Sequence, residues 1–163
     1  DDYKEILSAV IGGADGANSI VRRSFFKQQP YKYVAIQQWF KTEDENMPHY
    51  SCIFDPETSN SCSWTIRKSV TYVFGGAFRK KNCREAFEKQ KKKFEEFMGK
   101  SLGEPIKTEA CLLSSPEKFT DFKVGRRNVY LVGEAAGFIS ASSFEGISSA
   151  LISGKLLAES MDI

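Results

Sequence analysis

Asn128-Val129-Tyr130-Leu131-Val132-Gly133-Glu134-Ala135-Ala136-Gly137 runs from a short apolar stretch into glycine, a carboxylate, two alanines and a second glycine. A β-branched and aromatic run closed by glycine reads as a buried strand. Small residues follow through Phe138 to Phe144, and a helix is expected from about Glu145 to Ser160. The other end of the chain has the same order of parts. Glu5 to Gly12 is nearly all apolar and reads as a strand buried on both faces, the loop Gly12-Gly13-Ala14-Asp15-Gly16-Ala17 follows, and a helix is expected from about Asn18 to Phe26, capped by Asn18 or Ser19. A strand, glycine loop and helix at each end imply an α/β layer with a parallel sheet. Parallel strands need neighbours joined by crossovers, and the chain does not supply all of them.

Between these ends the texture changes. Tyr31 to Phe40, Tyr50 to Phe54, Ser61 to Arg67 and Val70 to Phe78 are short, aromatic and alternating, with turns at Asp55-Pro56 and near Lys68-Ser69. That is the pattern of an antiparallel sheet with hairpins. Asn82 to Gly99 reads as a helix, with Cys83, Phe87, Phe94, Phe97 and Met98 at helical spacing and Gly99 as its stop. Ile106 to Leu113 reads as one more strand, and Ser114 to Asn128 as a connection. The fold expected is α/β in the sense of mixed α+β. Residues 1–30 and 114–163 form one domain, and 31–113 form an inserted antiparallel sheet domain with one long helix.

Composition narrows the function classes. With 163 residues, 41% hydrophobic and 27% charged, the chain has the balance of a soluble globular protein. A net charge of +2 does not mark a nucleic-acid binder. The eight basic residues between Arg79 and Lys93 read as the solvated face of the long helix. Cys52, Cys62, Cys83 and Cys111 form no C-x-x-C pair and His49 is the one histidine, so no metal cluster is expected. Reduced thiols and a cytoplasmic location fit that pattern, with a Cys52–Cys62 bridge open but unsupported. No apolar run is long enough to span a bilayer, and peripheral membrane contact stays compatible with the sequence. The chain starts at Asp1 without Met and runs at once into an apolar strand, the expectation for a fragment.

Two readings stand for each glycine-rich segment. The first loop is a place where backbone approaches a phosphate at a helix N-terminus, or an ordinary turn in which Asp15 caps locally. In the second, Glu134 accepts hydrogen bonds from sugar hydroxyls and the helix N-terminus stabilises charge developing on a ligand, or the helix simply packs closely through Gly146, Ser149 and Gly154.

Taken together the segments resemble the flavin monooxygenases, halogenases and geranylgeranyl reductases. The first is similar to their "DG" motif and the second to their "GD" motif, with the ending Ser153-Gly154-Lys155-Leu156-Leu157-Ala158 also matching. The resemblance implies an incomplete FAD-binding Rossmann-like domain with an inserted substrate domain. It puts Asp15 in the network near the FAD pyrophosphate and Glu134 at a ribityl hydroxyl, with Gly16, Arg22, Gly133 and Gly137 also among the cofactor-binding residues. Backbone amides of Gly146 and Ile147 fall at the pyrimidine edge of the flavin. Glu134 stands where Asp is usual, Ala141 where Pro is usual, and Phe144 where Gly is usual. Cys62-Ser63-Trp64-Thr65-Ile66-Arg67 keeps only Trp64 and Ile66 of the halogenase W-x-W-x-I-P signature, which argues against a halogenase. Trp64 and Trp39 are expected in a substrate pocket, with a core role for Trp64 the alternative.

No G-x-G-x-x-G follows a strand, although relatives open with one upstream of the first motif, so poor FAD retention by this piece alone is expected. The resemblance implies an FAD-dependent oxidoreductase, closest to the reductase branch, acting on C=C bonds of an apolar, isoprenoid-type substrate with NAD(P)H or another electron donor. The rivals are an aromatic hydroxylase and a non-catalytic binding domain that has lost FAD. The sequence names no catalytic acid or base and leaves the oligomeric state open.

Overall fold

The computed structural model describes residues 4–59 and 61–161. In chain order its elements are β1 (Ile11–Gly13), α1 (Ile20–Phe25), β2 (Tyr31–Lys41), β3 (Tyr50–Ile53), β4 (Ser63–Lys68), β5 (Thr71–Arg79), α2 (Cys83–Met98), β6 (Lys107–Ser115), β7 (Gly125–Arg126), β8 (Val129–Leu131), α3 (Gly133–Ala136) and α4 (Ile147–Ser160). They divide into two compact units, Asp1–Tyr31 with Ser114–Ile163 and Lys32–Leu113. The class is mixed α+β.

In the first unit β8 is the central strand of the order β1-β8-β7. β1 pairs with it in parallel, Ile11 opposite Val129 and Gly13 opposite Leu131. β7 joins it as a hairpin over Arg127-Asn128, with Arg127 in the left-handed region at φ 56°. Phe26, Val129, Leu131, Ala135 and Ala136 form the core, flanked by Ile11, Val21 and Phe138. The strand expected from Glu5 is realised only at Ile11–Gly13, and Ile6 and Leu7 are 84% and 91% exposed. Among the described residues β8 is the only partner of β1, and it is three residues long, so pairing cannot extend further upstream.

The stretch expected as a plain connection carries structure around Asp121. Its Oδ2 accepts the amides of Glu117 (2.9 Å) and Lys118 (3.1 Å), and its Oδ1 accepts the Gln28 side-chain amide (2.8 Å). The bond from Glu117, with those from Lys118 and Gln28, outweighs burial and holds the carboxyl below its ordinary range. Because the folded value is depressed, this contribution to stability is complete above the unfolded carboxylate value near ~4 and is lost as pH falls through the folded one. In Asp121→Asn the acid limb of a pH–stability curve below about pH 4 should therefore be shallower than in the parent. An unchanged limb would assign the acid sensitivity elsewhere.

The second unit is a five-stranded antiparallel sheet, order β3-β4-β5-β2-β6, with α2 on one face. Alternation in β2 and β5 sends Ile36, Phe40, Tyr72, Phe74 and Phe78 to the α2 side, where they meet Phe87, Phe94 and Met47. Phe74 has no exposed surface and packs its ring against Phe87 (centroids 5.6 Å) and Phe94 (5.4 Å). Gly99 ends α2 in the left-handed region, its amide reaching back to the carbonyls of Glu95 and Glu96. Phe97, expected on the apolar stripe, is instead 85% exposed. At ~100° per residue it falls three positions past Phe94, at the rim of the buried arc.

Candidate functional site

The two glycine-rich loops leave the same end of adjacent parallel strands. Beyond the β1–β8 ladder, the Val132 amide donates to the Gly13 carbonyl (3.0 Å), so the pairing continues to the point where both loops begin. A 3-10 turn, Gly16–Asn18, then lies against α3. Asp15 and Glu134 thus start neighbouring loops of a single sheet, the geometry expected at the carboxyl ends of strands in α/β folds.

Each expected residue has a defined place. Asp15 Oδ2 accepts the amides of Ile20 (2.7 Å) and Val21 (3.3 Å), and Ser19 Oγ accepts that of Arg22 (2.9 Å). Burial raises the Asp15 carboxyl, but hydrogen bonds from Ser19, Ile20 and Val21 prevail and hold it below its ordinary value. The first-turn donors of α1 are therefore capped from within, which corrects the expectation of free N–H groups there for a phosphate. Gly16 opens the 3-10 turn.

Arg22 departs furthest from its expected role. It is 2% exposed, and its guanidinium donates to the carbonyls of Ala135 (2.8 Å), Asp121 (2.5 Å) and Gln28 (3.4 Å). Burial lowers its pKa while the Asp121 carboxylate opposes the shift. The fork clamps α1 to α3 and to the turn at Asp121, and its donors are committed to backbone rather than directed at a ligand.

Gly133 sits at φ 55°, and a Cβ there would come 3.0 Å from the Ala150 Cβ. Only glycine takes that backbone at low cost, and α4 approaches through it. The Gly133 amide also donates to Ser153 Oγ (2.9 Å). The close helix packing expected at Gly154 is thus made through Gly133, Ala150 and Ser153, while space around Gly154 is open. Glu134 Oε1 accepts the Ser114 amide (2.6 Å), which leaves Oε2 without a protein partner among the described residues. Gly137 is the left-handed cap of α3.

At the start of α4, Glu145 Oε1 caps the Ser148 amide (2.9 Å), while the amides of Gly146 and Ile147 have no protein acceptor among the described residues. Phe144, where the resemblance expects Gly, takes φ 55°, a conformation that glycine suits. α4 has no buried residue, and an apolar groove of about 550 Å³ beside it is lined by Tyr130, Leu131, Val132, Phe138, Leu156 and Leu157.

In the other unit, register brings the two tryptophans to one face, away from α2. Trp39 pairs with Val73 and Trp64 with Gly75, two residues apart on β5. The Trp64 indole covers Gly75 so closely that a Cβ there would fall 2.5 Å from Nε1. Lys68 and Lys107 lie 4.7 and 5.4 Å from the Trp39 ring. No disulfide joins the four cysteines, His49 is exposed, and no group of three or more metal-ligating side chains occurs among the described residues. No helix among them is long and apolar enough to cross a membrane.

The clamp at Arg22 and the acceptor at Asp121 were not legible in sequence, because Arg22 bonds across 99 and 113 residues of chain. The one available signal was an arginine on a short helix at a position that turns inward.

No protein-family model matches the chain. Protein CbrA of Escherichia coli O9:H4 (strain HS) is 46% identical over 159 residues, which are 96% of this chain and 43% of that protein. The chain thus spans less than half the length of the curated relatives it matches. In structure it is similar to a geranylgeranyl bacteriochlorophyll reductase-like protein from Thermoplasma acidophilum (TM-score 0.72, 17% identity, 93% of this chain and 40% of that one). It is also similar to BrvH, a flavin-dependent halogenase from Brevundimonas sp. BAL3 (TM-score 0.63, 13% identity, 98% and 32%). At these identities the likeness is one of fold alone.

Proposed function

We propose that the chain is part of an FAD-dependent oxidoreductase of the geranylgeranyl-reductase type, which reduces C=C bonds of an apolar, isoprenoid-like substrate with electrons from NAD(P)H or another donor. The observation that carries this reading is the parallel pairing of β1 with β8, which sends the loops of Asp15 and Glu134 off the same strand ends and into contact.

The fit to FAD differs between the two loops. The second loop fits: Glu134 Oε2 is placed to accept from a ribityl hydroxyl, and the unengaged amides of Gly146 and Ile147 suit an electron-rich ring edge. In the first loop Asp15, Gly16 and Arg22 shape and lock the backbone, and their side chains make no claim on the cofactor. Bound FAD would supply the hydride for the substrate. The chain's own residues orient and hold. Trp39 and Trp64 offer an aromatic surface to an apolar substrate, and the exposed apolar residues of α4 and those before β1 (Ile6, Leu7 and Val10) are surfaces that further polypeptide of the longer relatives would cover.

One observation favours a different reading, a binding domain that no longer carries FAD: the amides at the start of α1 are already capped. Flavin absorbance of the purified full-length protein separates the two. A yellow protein is expected, and Glu134→Gln, which keeps an oxygen for the Ser114 amide, should bind FAD about tenfold more weakly (~1.5 kcal/mol). A colourless protein that cannot be reconstituted would overturn the enzyme reading.

A further inference from the structure

Cys52 is exposed on β3, the edge strand of the larger sheet, and Cys62 is buried at 3% exposure just before β4. Cys52 lies directly opposite Trp64 in the β3–β4 ladder. The Cys62 carbonyl accepts the Ala77 amide (3.2 Å), continuing the pairing of Ser63 with Gly76, so Cys62 keeps the strand alternation and shares a face with Trp64 two residues on. The two cysteines are therefore diagonal neighbours on one face of the sheet, a relation of about 7–8 Å. Cys52 also adds to the upward push that burial gives the Cys62 thiol, as a near neighbour does. Neither Cys83 nor Cys111 lies in this ladder.

We infer that Cys52 and Cys62 form a redox-sensitive dithiol that a hydroperoxide converts to a disulfide beside Trp64. Cys52 is the thiol that the oxidant reaches, and Cys62 is the one that resolves it. In the first step the Cys52 thiolate sulfur attacks hydrogen peroxide and the O–O bond breaks. Sulfur gains a hydroxyl as sulfenic acid, and the departing hydroxide takes up a proton as water. In the second step the Cys62 sulfur attacks the Cys52 sulfur. The S–S bond forms, the S–O bond breaks, and hydroxide leaves with the Cys62 proton as a second water. Two thiols and one peroxide thus give one disulfide and two waters, with two electrons passing from sulfur to oxygen. Burial holds the Cys62 thiol protonated, with the neighbouring Cys52 adding to the effect, so it does not compete for the oxidant. From a diagonal position the bond of about 2.05 Å closes with a shift of β3, an edge strand held by β4 alone in the sheet. The bond ties the edge strand β3 to the segment that carries Trp64. The inference rests on sheet geometry within one unit and stands apart from the flavin reading.

The test uses the reduced chain with one equivalent of hydrogen peroxide, then denaturation, alkylation and non-reducing peptide mapping. The expected result is loss of two of the four thiols, a linked Cys52–Cys62 peptide, and full alkylation of Cys83 and Cys111. Cys62→Ala should stop at a dimedone-reactive sulfenic acid on Cys52. As a readout free of that variant, tryptophan emission should fall on oxidation and recover with dithiothreitol, with the change retained in Trp39→Phe. Cys52 driven to sulfinic acid while Cys62 still alkylates would overturn the inference, as would peroxide leaving both thiols intact.

Discussion

Arg22→Ala is expected to unfold the unit that holds both glycine-rich loops. The substitution strips partners from the buried carbonyls of Ala135 and Asp121 and the half-buried one of Gln28, and leaves a guanidinium-sized void. Unsatisfied buried acceptors cost about 1–3 kcal/mol each, so a total loss of about 3–5 kcal/mol is expected, a large fraction of a domain's stability. Lysine would restore the charge but not the fork, and should recover only part of the loss. Both tryptophans belong to the other unit, so emission is blind to this event. Limited proteolysis is not, and cleavage within residues 114–131 should accelerate at least tenfold. Cleavage unchanged from the parent would show that the clamp contributes little.

Phe74→Ala is the matching experiment in the sheet unit. Phe74 lies at the centre of the aromatic cluster under α2, and truncating a fully buried phenylalanine costs about 3–5 kcal/mol. Here tryptophan emission reports directly, and the urea midpoint should drop with little change in slope. Phe97→Ala is the control. Although its spacing places it on the same stripe, its exposure predicts a change within about 0.5 kcal/mol. Equal losses at the two positions would mean that α2 packs differently.

Legibility in the sequence follows the range of the interactions. Strand alternation and helix periodicity are local, so the hairpin strands from Tyr31 to Arg79 and the helix Cys83–Met98 fall within a few residues of where their patterns put them. The pairing of β1 with β8 was also within reach, because a strand that ends in a glycine loop before a helix is a repeated local unit. What local patterns miss is which donor meets which acceptor. Glycine spacing marks Gly133 and Gly154 alike, yet only Gly133 meets Ala150 closely. Asp15 was read both as a local cap and as a cofactor neighbour, and its bonds to Ile20 and Val21 are those of the cap. The placement of Cys52 and Cys62 on one face depends on strand register, which a one-residue slip would abolish.

The most direct test of convergence on one nucleotide is hydrogen–deuterium exchange on the full-length protein, with and without FAD. Two loops held side by side by β1 and β8 should both gain protection, residues 13–19 and residues 133–147 together and at the same FAD concentration. Protection confined to one of these segments, or found in neither while FAD binds, would contradict a shared flavin site.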